Sequence, residues 1–189
     1  MPRQVFDYDA PERFVAGTVG QPGQRTFYLQ ARSGKRLTSV ALEKAQVALL
    51  AERVDDLLDE VRRRSGEDAR VPAVAPTDPG DAAALDVPIE EEFRVGTMSL
   101  AWDSSAGRVV IECFAVTEGD PTPPAEDVPD TAEEATGAVL RVSLTGPVAR
   151  AFAKRALAVV AAGRPPCPFC GNPLNPDGHI CPRANGYRR

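Results

Sequence analysis

Histidine is nearly missing from this chain. His179 is the only one among 189 residues, and there are just four cysteines, two methionines, one tryptophan and three lysines. With so little histidine, general acid–base chemistry through imidazole rests on one residue. No apolar run approaches the ~18 residues that a membrane-spanning helix needs. The segment MPRQVFDYDAPERFVAG lacks an apolar signal core, and acidic residues begin at Asp7, which argues against a signal or transit peptide. Cys113 stands alone and the other three cysteines crowd near the C-terminus, unlike a secreted disulfide framework. A reducing cytoplasmic location is therefore expected. A formal charge of −5 excludes a general nucleic-acid binder.

What remains is enough for one ordinary domain with a small appendage, since 43% of the residues are apolar. FVAGT (14–18), RTFYLQA (25–31) and RLTSVAL (36–42) read as three short antiparallel strands. Pro22–Gly23 between the first two predicts a type II turn, because Gly accepts a positive φ at the third position. The glycines of GTVGQPG belong to that hairpin. A phosphate cradle would need a helix to start immediately after them. Val47, Leu50, Ala51, Val54, Leu57, Leu58 and Val61 then recur at helical period, and Arg62, Arg63 and Arg64 close the helix at the negative end of its dipole.

Periodicity is lost over 65–88, which reads as a linker or long loop. It resumes in EEFRVGTMSLAW (91–102), RVVIECFAV (108–116) and AVLRVSL (138–144). Residues 118–136 carry seven acids, four prolines and no Lys or Arg, and are expected to be a disordered insert. A second helix follows, with Thr145 as its cap, Pro147 in its first turn and a stripe of Val148, Phe152, Ala156, Val159 and Val160. Gly163 ends it. FVAGT is echoed by FRVGT (93–97), and each is followed by a hairpin, a third strand and a helix. A duplicated βββα unit is one reading and coincidence the other. The expected fold class is α+β, an antiparallel sheet of about six strands with two helices over residues 1–163, plus a zinc knuckle over 164–189.

The knuckle rests on Cys167, Cys170, His179 and Cys181, spaced C-x2-C-x8-H-x-C. Zn²⁺ takes four such donors in a tetrahedron. Two residues between thiolates let one tight turn aim both sulfurs at an ion, and Gly171 accepts the backbone angles that turn requires. GNPLNPDG can loop back to deliver His179 and Cys181. The alternatives are a redox dithiol, which normally opens a helix in a βαβ frame, and chance spacing. Three thiolates and one imidazole would leave a site charge of about −1 and no open position, which suits a structural zinc rather than a catalytic one.

Other features read more plainly. Glu90–Glu92 suggests a solvated lead-in to a strand, because consecutive side chains of an extended segment point to opposite faces. Ser99, Ser104 and Ser105 lack a histidine partner, and Cys113 fits the core. Trp102 fits the core or a contact surface. Arg183, Tyr187, Arg188 and Arg189, with Arg164 and Asn185 nearby, form a small basic surface that suits an acidic protein partner or RNA, and equally a patch that packs on the parent domain or simply solubilises it.

PERFVAGTVGQPGQRTFYLQA, EEFRVGTMSLAWD and GRPPCPFCGNPLNPDGHICPRANGYRR together resemble the actinobacterial family of unknown function called DUF3090. The resemblance runs over nearly the whole chain and is weakest in 65–88 and 118–136. It implies the Cys/His pattern at Cys167, Cys170, His179 and Cys181. It also implies a genetic neighbourhood with a phosphatase-like and a kinase-like protein. Two functions follow as expectations. The first is a non-enzymatic binding or adaptor protein that presents its zinc tail to a partner, with no membrane and no small-molecule substrate. The second is an enzyme, or an accessory subunit of one, with a pocket between sheet and helices, which converging Asp, Glu or Arg would favour.

Overall fold

The structure is a computed structural model that describes residues 4–76, 82–116, 137–174 and 179–183. Seven strands, β1 (Val5–Asp9), β2 (Arg13–Val19), β3 (Thr26–Ser33), β4 (Arg36–Leu42), β5 (Glu91–Asp103), β6 (Arg108–Ala115) and β7 (Val139–Thr145), form one sheet in the order β1-β7-β6-β5-β4-β3-β2. Helix α1 (Lys44–Ser65) follows β4, and α2 (Gly146–Ala161) follows β7. The class is α+β, but the sheet is mixed rather than antiparallel. β4 runs parallel to β5 and β1 parallel to β7. The strand beyond the expected six is β1, a five-residue segment whose acids obscure its alternation of Phe6 and Tyr8 with Asp7 and Asp9. After β1 the order βββα occurs twice, and the two strand triplets lie side by side.

One face of the sheet carries both helices. Leu29, Val40, Ile111, Cys113, Leu140 and Val142 project from that face and meet Val47, Leu50, Val54 and Leu58 of α1. Phe14 of β2 stacks on Phe152 of α2 at 4.7 Å. Of the expected α2 stripe, Phe152 and Ala156 are buried and Val159 and Val160 pack partly buried against the core, whereas Val148 is exposed and Ala149 and Ala153 are buried as well. The turn of that helix is set by Arg150. Its buried guanidinium binds Asp55 Oδ1 at 3.0 Å, Asp59 Oδ1 at 2.7 Å and the Pro72 carbonyl at 3.2 Å. α1 starts with a cap the sequence reading missed, in which the Glu43 N–H donates to Gln46 Oε1 at 2.8 Å. The Pro22–Gly23 turn forms as expected, with Gly23 at φ +99° and Gln24 N–H bonded to Gln21 O at 2.9 Å.

The sheet curls enough for β1 to reach across the core to β4. Tyr8, 1% exposed, shares a 2.8 Å hydrogen bond with Thr38 Oγ1. The Arg36 guanidinium lies 3.9 Å from the centre of the Tyr8 ring and also donates to the Asp7 carbonyl. Phe6 and Phe93 meet beside it at 6.2 Å.

The other face of β2–β4 is covered by residues 82–90, which cross the β2 edge as a strap. Gln30, 1% exposed, binds Asp86 at both backbone ends: its Oε1 accepts from Asp86 N at 2.7 Å and its Nε2 donates to Asp86 O at 3.0 Å. The Asp86 carboxylate accepts from Arg13 at 2.9 Å. Arg32 Nε lies 3.2 Å from the same oxygen, an ion pair without hydrogen-bond geometry. Leu85 packs on Gly17, where a Cβ would come within 2.5 Å of its Cδ2. Arg155 of α2 donates to Ala16 O on the β2 edge and to Ala83 O on the strap, at 2.9 and 2.8 Å. Residues 118–136, expected to be a disordered insert, lie outside the described residues.

Replacing Tyr8 with Phe keeps the ring and strands the Thr38 hydroxyl in the core. Leaving a buried hydroxyl without its partner costs roughly 1–3 kcal/mol, so urea unfolding of Tyr8→Phe should show a loss in that range at unchanged m-value. A variant as stable as the parent would mean that the β1–β4 bridge contributes nothing.

Candidate metal centre

The chain leaves α2 at Ala162, whose carbonyl accepts from Arg25, and runs directly into the tail. Two prolines there cannot continue a helix. The first half of the tail is a closed knuckle. Pro166 and Pro173 form an antiparallel bridge, Cys167 N–H donates to Asn172 O at 2.7 Å, and Gly171 N–H returns to Cys167 O at 2.8 Å. Gly171 sits at φ +76°, the left-handed region where glycine costs least. Leu174 N–H closes the base on Pro165 O at 2.8 Å.

The second half brings His179 and Cys181 against this turn. The ligand atoms of Cys167, Cys170, His179 and Cys181 all lie within 4.8 Å of one another, and together they could hold a metal ion. Cys167 and Cys181 sulfurs are 3.9 Å apart, and Cys170 Sγ is 3.2 Å from His179 Nε2. A tetrahedron with bonds of ~2.3 Å to sulfur has ligand edges of about 3.8 Å. Cys167 and Cys181 are buried, Cys170 and His179 half-buried. His179 Nδ1 is buried without a hydrogen-bond partner among the described residues.

The thiols respond to one another. Burial pushes the Cys167 thiol up, but N–H donors of Cys170 and Phe169 and the two neighbouring thiols outweigh it and hold it below the ordinary thiol value. At Cys170 the Asn172 N–H pulls the thiol down, yet burial and the proximity of Cys167 and Cys181 win, and its net shift is upward. The first thiolate formed thus opposes the next, a conflict that a bound cation removes.

Cys113 behaves differently. It is fully buried on β6, and desolvation, with the Glu112 charge behind it, pushes its thiol up to about 12. It is a core residue. Ser99 donates to Glu112 Oε2 at 2.9 Å, and Ser105 to Asp103 Oδ1 at 2.6 Å in a tight turn, so both hydroxyls are engaged structurally. Trp102 packs partly buried against the core. Of the proposed partner-binding residues, Arg183 is exposed and donates to the Phe169 carbonyl at 3.2 Å. Tyr187, Arg188 and Arg189 lie outside the described residues. Phe169 and Ile180, two of the tail's few apolar side chains, are 63% and 83% exposed.

The chain belongs to the DUF3090 family. The model of that family, described as "Protein of unknown function (DUF3090)", matches residues 6–181 and so takes in all four candidate ligands. No curated protein and no solved structure matches the chain. Among the described residues no helix is long and apolar enough to cross a membrane.

Alkylation should separate the two kinds of cysteine. In metal-free but folded protein at pH 8, iodoacetamide should modify Cys167, Cys170 and Cys181, while Cys113 reacts only in denaturant, since a thiol raised to about 12 holds almost no thiolate there. Mass spectrometry counts the adducts. A fourth adduct formed at native-state speed would show that β6 does not seal its face.

Proposed function

We propose that this DUF3090 protein is a non-enzymatic binding or adaptor module whose tail is organised by a structural Zn²⁺ and recognises a protein partner. The ion is assigned from donor chemistry. Three thiolates and an imidazole suit Zn²⁺ over hard cations, and four protein ligands leave no position for a reacting water. A cytoplasmic setting follows from the need to keep these thiols reduced.

The observation that carries the recognition role is the outward placement of Phe169 and Ile180. Each neighbours a candidate ligand, one in the first knuckle turn and the other between His179 and Cys181. A clasp serving the fold alone would bury its few apolar side chains. Here they stand in solvent beside Arg183, and Tyr187, Arg188 and Arg189 follow in sequence. Aromatic and arginine side chains on a rigid support are the common anchors of protein interfaces. RNA is the second candidate partner, since the same groups stack on bases and pair with phosphate.

Elemental analysis should find one zinc per chain, and X-ray absorption should fit three sulfurs and one nitrogen. Chelation should expose the chain after Gly163 to protease and leave most far-ultraviolet circular dichroism intact, because the sheet and helices pack without the tail. Global unfolding on chelation, or an ordered tail without metal, would overturn the assignment. For recognition, two sets of variants are compared with the parent in affinity capture at matched zinc content: Phe169→Ala with Ile180→Ala, and Arg183, Arg188 and Arg189 all to Ala. Both should lose the partner at unchanged melting temperature, the arginine set more steeply as salt rises. Ribonuclease treatment distinguishes RNA from protein. Full capture by both sets would reduce the tail to a clasp.

A further inference from the structure

A cleft of about 380 Å³ opens on the sheet face away from the helices, where the β3–β4 turn, the strap and the start of β5 meet. Its size falls within the ~300–1,000 Å³ usual for small-ligand sites. Leu37, Val87 and Pro88 supply apolar surface. Ser39 also lines it, 2% exposed, with its Oγ accepting from Gln30 Nε2 at 3.0 Å.

The charges around this cleft divide into two groups. Arg32 and Asp86 are already committed, to each other and to Glu12 and Arg13. Lys35, Glu90 and Glu92 are exposed, line the same cleft, and form no ion pair with one another or with any described residue. Both signs therefore stand on one cleft more than 4 Å apart, the distance within which an ion pair would form. Glu90 and Glu92 are two residues apart on an extended segment, which sends their side chains to the same side. A ligand carrying both charges and a short apolar group would satisfy all of these surfaces at once.

We propose that this cleft binds a small zwitterion of the aliphatic α-amino acid class. Its ammonium pairs with Glu90 and Glu92, its carboxylate with Lys35, and its side chain rests on Leu37, Val87 and Pro88. The site is independent of the metal tail and does not require the adaptor reading to hold. No nucleophile or general base is assigned to it, so the inference is binding and not turnover.

Calorimetric titration of the full chain with L-leucine tests this, using 4-methylpentanoate and 3-methylbutylamine as analogues that lack the ammonium and the carboxylate. Leucine should bind saturably at one site, and each analogue should bind at least about tenfold more weakly, the loss expected for one missing charge-assisted contact. Lys35→Met should weaken leucine comparably and abolish its advantage over the amine. Glu90→Gln with Glu92→Gln should abolish its advantage over the acid. All three side chains are exposed, so melting temperatures should stay at the parent value and a loss of binding would not be a loss of fold. No saturable heat with leucine, equal binding by either analogue, or unchanged affinity in the variants would overturn the proposal.

Discussion

Parallel neighbours cannot be joined by a hairpin, and at the centre of this sheet β4 and β5 are parallel neighbours. Their connection has to climb over one face and return, a journey of a dozen residues or more. Helix α1 makes the climb, and the described residues 66–76 and 82–90 belong to the return. The rest of the architecture follows from that junction. It sets the second strand triplet beside the first in the same sense and places both helices on one face. It also leaves a long return segment. Its residues 82–90 close the outer surface of β2–β4 and, with the start of β5, shape the cleft there.

Holding a long irregular segment against a sheet requires its backbone polar groups to be met. Gln30 does this from within β3 by imitating a peptide group toward Asp86, while Arg13 and Arg155 take the carbonyls of Ala83 and Ala84. The same logic applies at Arg150, where one buried guanidinium is matched by two carboxylates and a carbonyl drawn from α1 and the return segment. Buried charge without such partners is strongly unfavourable, so these arginines fix how the pieces fit more than they add net stability. The tail has no comparable network among its described residues. Its order depends on a few backbone bonds and on the four clustered ligands.

Much of this was legible in the residues. Period-two and period-3.6 patterns located six strands and both helices, and ligand spacing located the cluster of Cys167, Cys170, His179 and Cys181. β1 escaped because five residues with two acids give a weak signal, although Phe6 and Tyr8 do alternate. Strand direction was illegible, since a strand pattern looks the same whether its neighbour runs with it or against it. The strap was also beyond reach: its anchors Leu85 and Asp86 are single residues in an aperiodic stretch, and their partners Gly17 and Gln30 are more than fifty residues away.

The pairing of β1 with β7 carries a consequence for biosynthesis. Val5 lies beside Val139, so the first strand emerges from the ribosome long before its neighbour exists. β2, β3 and β4 find one another through short turns and can associate early, whereas β1 must wait with Phe6 and Tyr8 unburied. Contacts between such distant parts of a chain form late and slow the search. In that interval β1 is an unpaired apolar segment, the kind that chaperones bind and that aggregates when crowded. The Cys/His cluster that could hold a metal ion is made later still, after every described strand, so a nascent chain can complete its sheet before those four side chains exist.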